Sequence, residues 1–173
     1  MKSLFTALGA ACLALSATIA LADDKPTDPQ IAHIAYSAGV IDVEAAKLAL
    51  SKTKNSEVAA FARSMEEDHD AVNQMALALV KKLNVTPEDN PTSQALKSAA
   101  EEKHEELVAL DGAAFDKAYI DNEVAYHKQV NEALETLLIP SAQNAELKGL
   151  LETGLKLFQG HQQHAEHVAA DLK

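Results

Sequence analysis

Three histidines, His69, His127 and His161, stand where helical spacing asks for apolar side chains. Around His69 the positions Val58, Ala62, Met65, Val72, Ala76, Leu79 and Leu83 recur at alternating steps of four and three, the seam of a helix packed in a bundle. His127 interrupts the seam Ile120, Glu123, Val130, Leu134, Leu137, and His161 interrupts Leu147, Leu151, Gly154, Phe158, Ala165, Val168, Leu172. Carboxylates accompany them. Glu66 precedes His69 by one turn, Glu123 precedes His127 by one turn, and Glu44 sits one turn from both Ile41 and Leu48 on an earlier helix. His164 follows His161 closely enough to share its face, whereas His167 drifts round toward solvent. Imidazole nitrogen with carboxylate oxygen suits zinc, iron, manganese or copper(II), and the lack of sulfur disfavours copper(I). The candidate ligands of a divalent metal ion are therefore Glu44, Glu66, His69, Glu123, His127, His161 and His164.

Two other readings use the same residues. Asp68, Glu66, Glu44 and Tyr126 can satisfy buried imidazoles without any ion, which would make the protein a metal-free structural or interaction bundle with a buried His–carboxylate network. Glu66-x-x-His69 combined with single glutamates is also how some bundles hold two metal ions, which points to a di-metal oxidoreductase. That pattern needs a second Glu-x-x-His, and the last helix has none; its "GHQQHAEHVAADL" would also suit a surface metal-binding strip. Burying this many ionisable groups without a cation is costly, which favours the metal. No catalytic residue emerges: there is no glycine-rich phosphate loop and no serine in a strained strand-to-helix turn. The pattern speaks for binding rather than catalysis.

The elements that must position these groups are helical almost throughout. Helix one opens at "TDPQ" with Asp28 as N-cap and Pro29 in the first turn, and its apolar seam is Ile31, Ile34, Ala38, Ile41, Ala45, Leu48. Asn55 or Ser56 caps helix two, which ends near Asn84. "NVTPEDNPTS" is the linker, a shorter charged helix follows over 93–110, and Asp111-Gly112 stops it. Helix four is expected over 113–138, ending before Pro140, and helix five from Ser141 onward. Four long amphipathic helices and one short crossover predict an all-α four-helix bundle. Glu44 and Glu66 stand equally far on either side of Asn55, so an antiparallel pair puts them at one height. Glu123 and His127 rise to that height if the crossover returns the chain to the Asn55 end, and His161 descends to within a turn or two of it.

The first residues read differently. Lys2, an apolar stretch from Leu4 to Leu21 and the ending Ala20-Leu21-Ala22 predict a signal peptide over 1–22, cleaved before Asp23, and one domain over 23–173. The stretch is short for a membrane span and no basic stop follows it, so no stable membrane anchor is expected after cleavage. The one cysteine, Cys12, would leave with the leader, which excludes disulfides and thiolate metal sites from 23–173. With 15 Lys and Arg against 26 Asp and Glu, the formal net charge is −11, unsuited to nucleic acid or anionic lipid and compatible with cations.

The segments "GVIDVEAAKLALSKTKNSEVAAFARSMEEDHDAVNQMALAL", "AAFDKAYIDNEVAYHKQVNEAL" and "LFQGHQQHAEHV" resemble the bacterial exported family known as domain of unknown function 4142. The resemblance rests on Glu44, Asp68-His69, Phe115-Asp116 with Tyr119, His127 and His161, and covers nearly all of 23–173. It implies a ferritin-like four-helix bundle with a short additional crossover helix, and export, commonly to the periplasm. It implies no established activity.

Overall fold

The computed structural model describes residues 25–172; the leader expected over 1–22 lies outside them. Five main helices carry the described residues: α1 (Asp28–Lys52), α2 (Ser56–Leu83), α3 (Pro91–Val108), α4 (Gly112–Ala133) and α5 (Ala145–Asp171). No strand occurs among the described residues. A three-residue link folds α2 back along α1, and a short link folds α5 back along α4. Packing of α2 on α5 and of α1 on α4 closes the bundle. α3 rides mainly on α1 and returns the chain to the end where α4 begins. The all-α bundle with a crossover helix expected from periodicity is the architecture that forms.

Local chemistry sets the helix ends, and four of them differ from expectation. At α1 the N-cap is Thr27, whose backbone N–H donates to Gln30 Oε1 at 3.1 Å. Asp28 is freed for another contact: its carboxylate accepts the N–H groups of Gln143 and Asn144 at 2.8 and 2.9 Å, tying the start of α1 to the entry of α5. α3 begins at Pro91 because Asn90 and Ser93 cap each other's backbone N–H groups. α4 does not stop before Pro140. A π turn, Leu134–Leu138, leads into Ile139–Ser141, and the wider turn accommodates a ring that lacks an N–H. α5 consequently starts at Ala145, where the Asn144 side chain accepts from Glu146 and Leu147 N–H. Of the two residues expected to cap α2, Asn55 rather than Ser56 does so, accepting from Glu57 and Val58 N–H.

Burial divides the interior into layers. Near the α1–α2 link, Phe61, Met65, Phe115, Tyr119 and Ile120 build one apolar cluster. Toward the other end, Ile31, Ile34, Leu134, Leu138, Leu151 and Phe158 build a second. Each long helix passes from one cluster to the other, and at the crossing point each buries a polar side chain: Asp42 on α1, His69 on α2, Glu123 and His127 on α4, His161 on α5. A polar slab is thus clamped between two apolar ones. Close approach of α1 and α2 at this level depends on Gly39, because a Cβ there would lie 2.2 Å from Asn73 Oδ1.

Candidate metal centre

Of the residues expected at the site, His69, Glu123, His127 and His161 converge. All four are buried. The ring centroids of His69, His127 and His161 lie 5.3 to 5.6 Å apart, and Phe158 stacks flat on His69 at 4.6 Å, fixing that ring's plane. Two sets of ligand-type atoms come within 4.8 Å of one another: one from His69, His127 and His161, the other from Asp42, Glu123 and His127. His127 belongs to both. Bonds of about 2.0–2.2 Å to a first-row ion require ligand separations of about 3–4 Å, so a small contraction would complete either set.

Asp42 is the residue that sequence reasoning missed. It is 1% exposed, and its Oδ2 lies 3.5 Å from both His69 Nε2 and His127 Nε2. The expected acid of α1, Glu44, is exposed instead. The expected seam of α1 holds at Ile31 and Ile34, which are buried, but from there on the inward seam is Gly39, Asp42, Ala46 and Ala49, each one position after Ala38, Ile41, Ala45 and Leu48. Ile41 and Leu48 face a groove beneath α3. The signal available was the run of small residues at three- and four-residue steps. Glu66 is half-buried beside Lys47, 3.9 Å away on α1, and takes no part in the cluster. Its position three residues before His69 leaves it on the flank of α2 rather than in the seam. His164 is exposed with its ring against Phe61 at 5.1 Å, so His161 alone enters the site from α5. His167 is exposed as expected, His104 is exposed on α3, and His33 is partly buried away from the cluster.

Hydrogen bonds set the tautomers. His127 Nδ1–H donates to the Glu123 carbonyl at 3.0 Å, leaving the Nε2 lone pair facing Asp42. His161 Nε2–H donates to Asp68 Oδ2 at 2.9 Å, leaving its Nδ1 lone pair free. A ring N–H held by a carbonyl or carboxylate, with the other nitrogen bare, is how metal-binding histidines are oriented. The bare atoms are buried and unpartnered: His127 Nε2, His161 Nδ1, both nitrogens of His69, both oxygens of Asp42 and Glu123 Oε2. Buried polar groups are rarely left so, and here they cluster.

The electrostatics follow from burial. Burial pushes His69 down to about 2, with His127 and His161 adding repulsion. It pushes His127 down to about 4, partly opposed by the bond to the Glu123 carbonyl. His161 is also lowered by burial, against the pull of Asp68. Burial pushes Asp42 up to about 8, and raises Glu123 well above the usual carboxylate range, helped by the charge of Asp42. The His–Asp42 approaches are accordingly not ion pairs, because the rings stay neutral. Neutral imidazoles beside acids that resist ionisation form a donor set a cation would complete, by replacing the protons on the acids. A route exists on the acid side, where Asp42 and Glu123 line an open groove between α1, α3 and α4 that also carries Glu44, Glu101 and Gln129.

The model of a family described as Domain of unknown function (DUF4142) matches residues 13–168. No curated protein matches the chain. Among solved structures, a protein named as secreted, DUF305 from Streptomyces coelicolor, shares the fold with a TM-score of 0.71. The likeness covers 83% of this chain and 91% of that one at 11% sequence identity, so it concerns the fold alone.

Proposed function

Since the chain belongs to the DUF4142 family, a domain of unknown function, its role has to come from its own buried groups, and we propose that it is an exported protein that binds a divalent transition-metal ion in the core of its bundle. The observation that carries this reading is the convergence of unpartnered nitrogen and oxygen atoms from four helices on one layer. Asp42, His69, His127 and His161 are the ligands, with Glu123 beside them. Nitrogen and oxygen donors suit zinc, iron, manganese or copper(II). A buried donor set of this kind fits holding metal, for sequestration or protection under stress. His127 has a single bare nitrogen to offer the two donor sets, so they are alternatives for one ion, and titration stoichiometry tests this. Export to the periplasm is the reading that the leader pattern over 1–22 supports. No helix among the described residues is long and apolar enough to cross a membrane.

The test begins with metal analysis of protein purified without a histidine tag, followed by thermal melts with and without chelator. Calorimetric titration with zinc, manganese, iron(II) and copper(II) then compares wild type with His69→Ala, His127→Ala and His161→Ala, with Glu44→Gln as a surface control. Each histidine variant should bind much more weakly, non-additively in combination, and the control should bind as wild type does. Mature protein from a periplasmic fraction should begin at Asp23 by mass spectrometry. Equal affinities in all these proteins, with melts insensitive to chelator, would leave a metal-free polar network.

A further inference from the structure

Beside the histidines, within the second apolar layer, a cavity of about 130 Å³ runs up to the rings of His69, His127 and Phe158. Small residues on three helices leave this space open: Ala38 on α1, Ala76 on α2 and Ala133 on α4. Protein interiors are normally packed to crystal-like density, and leucines fill the neighbouring positions of this same layer. The π turn supplies a second, independent feature. Leu134, Leu137 and Leu138 line the cavity from that one rare turn, a type that recurs at functional sites. Exposed Leu137 and Thr92 stand at its rim, giving a way in from the surface.

The chemistry of the lining selects the guest. No aspartate, glutamate, lysine or arginine borders the cavity. The Tyr126 hydroxyl is already committed to the Ala38 carbonyl at 2.9 Å. Thr92, Asn73, Gln129 and the rings of His69 and His127 touch the space, but most of its lining is aliphatic, and apolar spaces near this size take guests such as benzene or xenon. We propose that this cavity is a binding site for a small uncharged apolar molecule, seated against the rings of His69 and His127. The guest's proximity to a metal ion rests on the function proposed above; its binding does not.

The experiment uses benzene and xenon as probes on chelator-treated protein, read by calorimetry and xenon NMR. Both should bind saturably. Ala76→Leu and Ala133→Leu, which fill the space, should weaken benzene binding at least ~tenfold. Should those variants fail to fold, Leu151→Ala enlarges the cavity and should bind benzene more tightly than wild type. Absence of saturable binding to wild type, or equal binding across the folded variants, overturns the proposal. In protein whose manganese(II) content is verified, bound benzene protons should relax faster than in zinc-loaded protein. Failure to take up manganese counts against the metal reading alone, whereas verified loading without faster relaxation removes the guest from the histidine end.

Discussion

Asp42 is buried with neither carboxylate oxygen hydrogen-bonded, so ionising it inside the metal-free bundle is expensive. Its carboxyl is pushed from 3.8 up to about 8, which means the folded protein holds a proton that the unfolded chain gives up. A raised acid of this kind contributes fully below pH ~3.8 and loses that contribution progressively as pH rises toward ~8. Between 3.8 and pH 7 lie about three pH units at ~1.4 kcal/mol each, or about 4 kcal/mol of stability lost by neutrality. Asparagine is nearly isosteric, has no proton to lose, and its amide N–H groups would meet the lone pairs of His69 and His127. In chelator at pH 7, Asp42→Asn should therefore be more stable than wild type by up to about 4 kcal/mol, on the order of 10 °C in Tm. That advantage should shrink to nothing as pH falls toward 4. With saturating zinc or manganese the order should reverse, because wild type gains an anionic ligand that the variant lacks. Urea denaturation followed by circular dichroism at several pH values, with chelator and with metal, reads all of this. A variant less stable than wild type in chelator, or one stabilised by metal as much as wild type, would refute the reasoning.

Acid should act through the histidines in the opposite sense. Burial lowers His69 to about 2 and His127 to about 4, so the unfolded chain protonates first and stability falls as pH drops below ~6.5. Measured in the Asp42→Asn background, adding His69→Leu should flatten that acid limb in urea titrations. Gly39→Ala should cost about 1–3 kcal/mol, since its Cβ would lie 2.2 Å from the Asn73 Oδ1 on α2 and the buried Asn73 side chain must give way. Thermal melts in chelator check this. Asp28→Ala should cost about 1–3 kcal/mol by leaving the Gln143 and Asn144 N–H groups without their carboxylate, and amide hydrogen exchange should rise first at the start of α5.

Most of the polar layer was legible because each member sits in a pattern its own helix writes. His69, Glu123, His127 and His161 interrupt seams whose three- and four-residue steps need no knowledge of the neighbours, and all four are buried. The Asn55 cap was equally local, since one side chain meets the backbone two and three residues on. Other features depended on residues far away in the chain. α1 carries two faces able to pack, a narrow one of small residues and a broader one with Ile41 and Leu48. Which of them turns inward is decided by α3, which lies over the broader face and leaves the small residues to approach α2. One residue is about 100° of helix rotation, so that choice puts Asp42 at the centre where Ile41 was expected and leaves Glu44 outside. Asp28 was likewise drawn from the cap position by the backbone of residues more than a hundred positions away. Periodicity within a helix is a property of its own sequence, so the seams could be read directly. The phase of a helix with two packable faces, and the partners of its flanking charges, exist only once the other helices are in place.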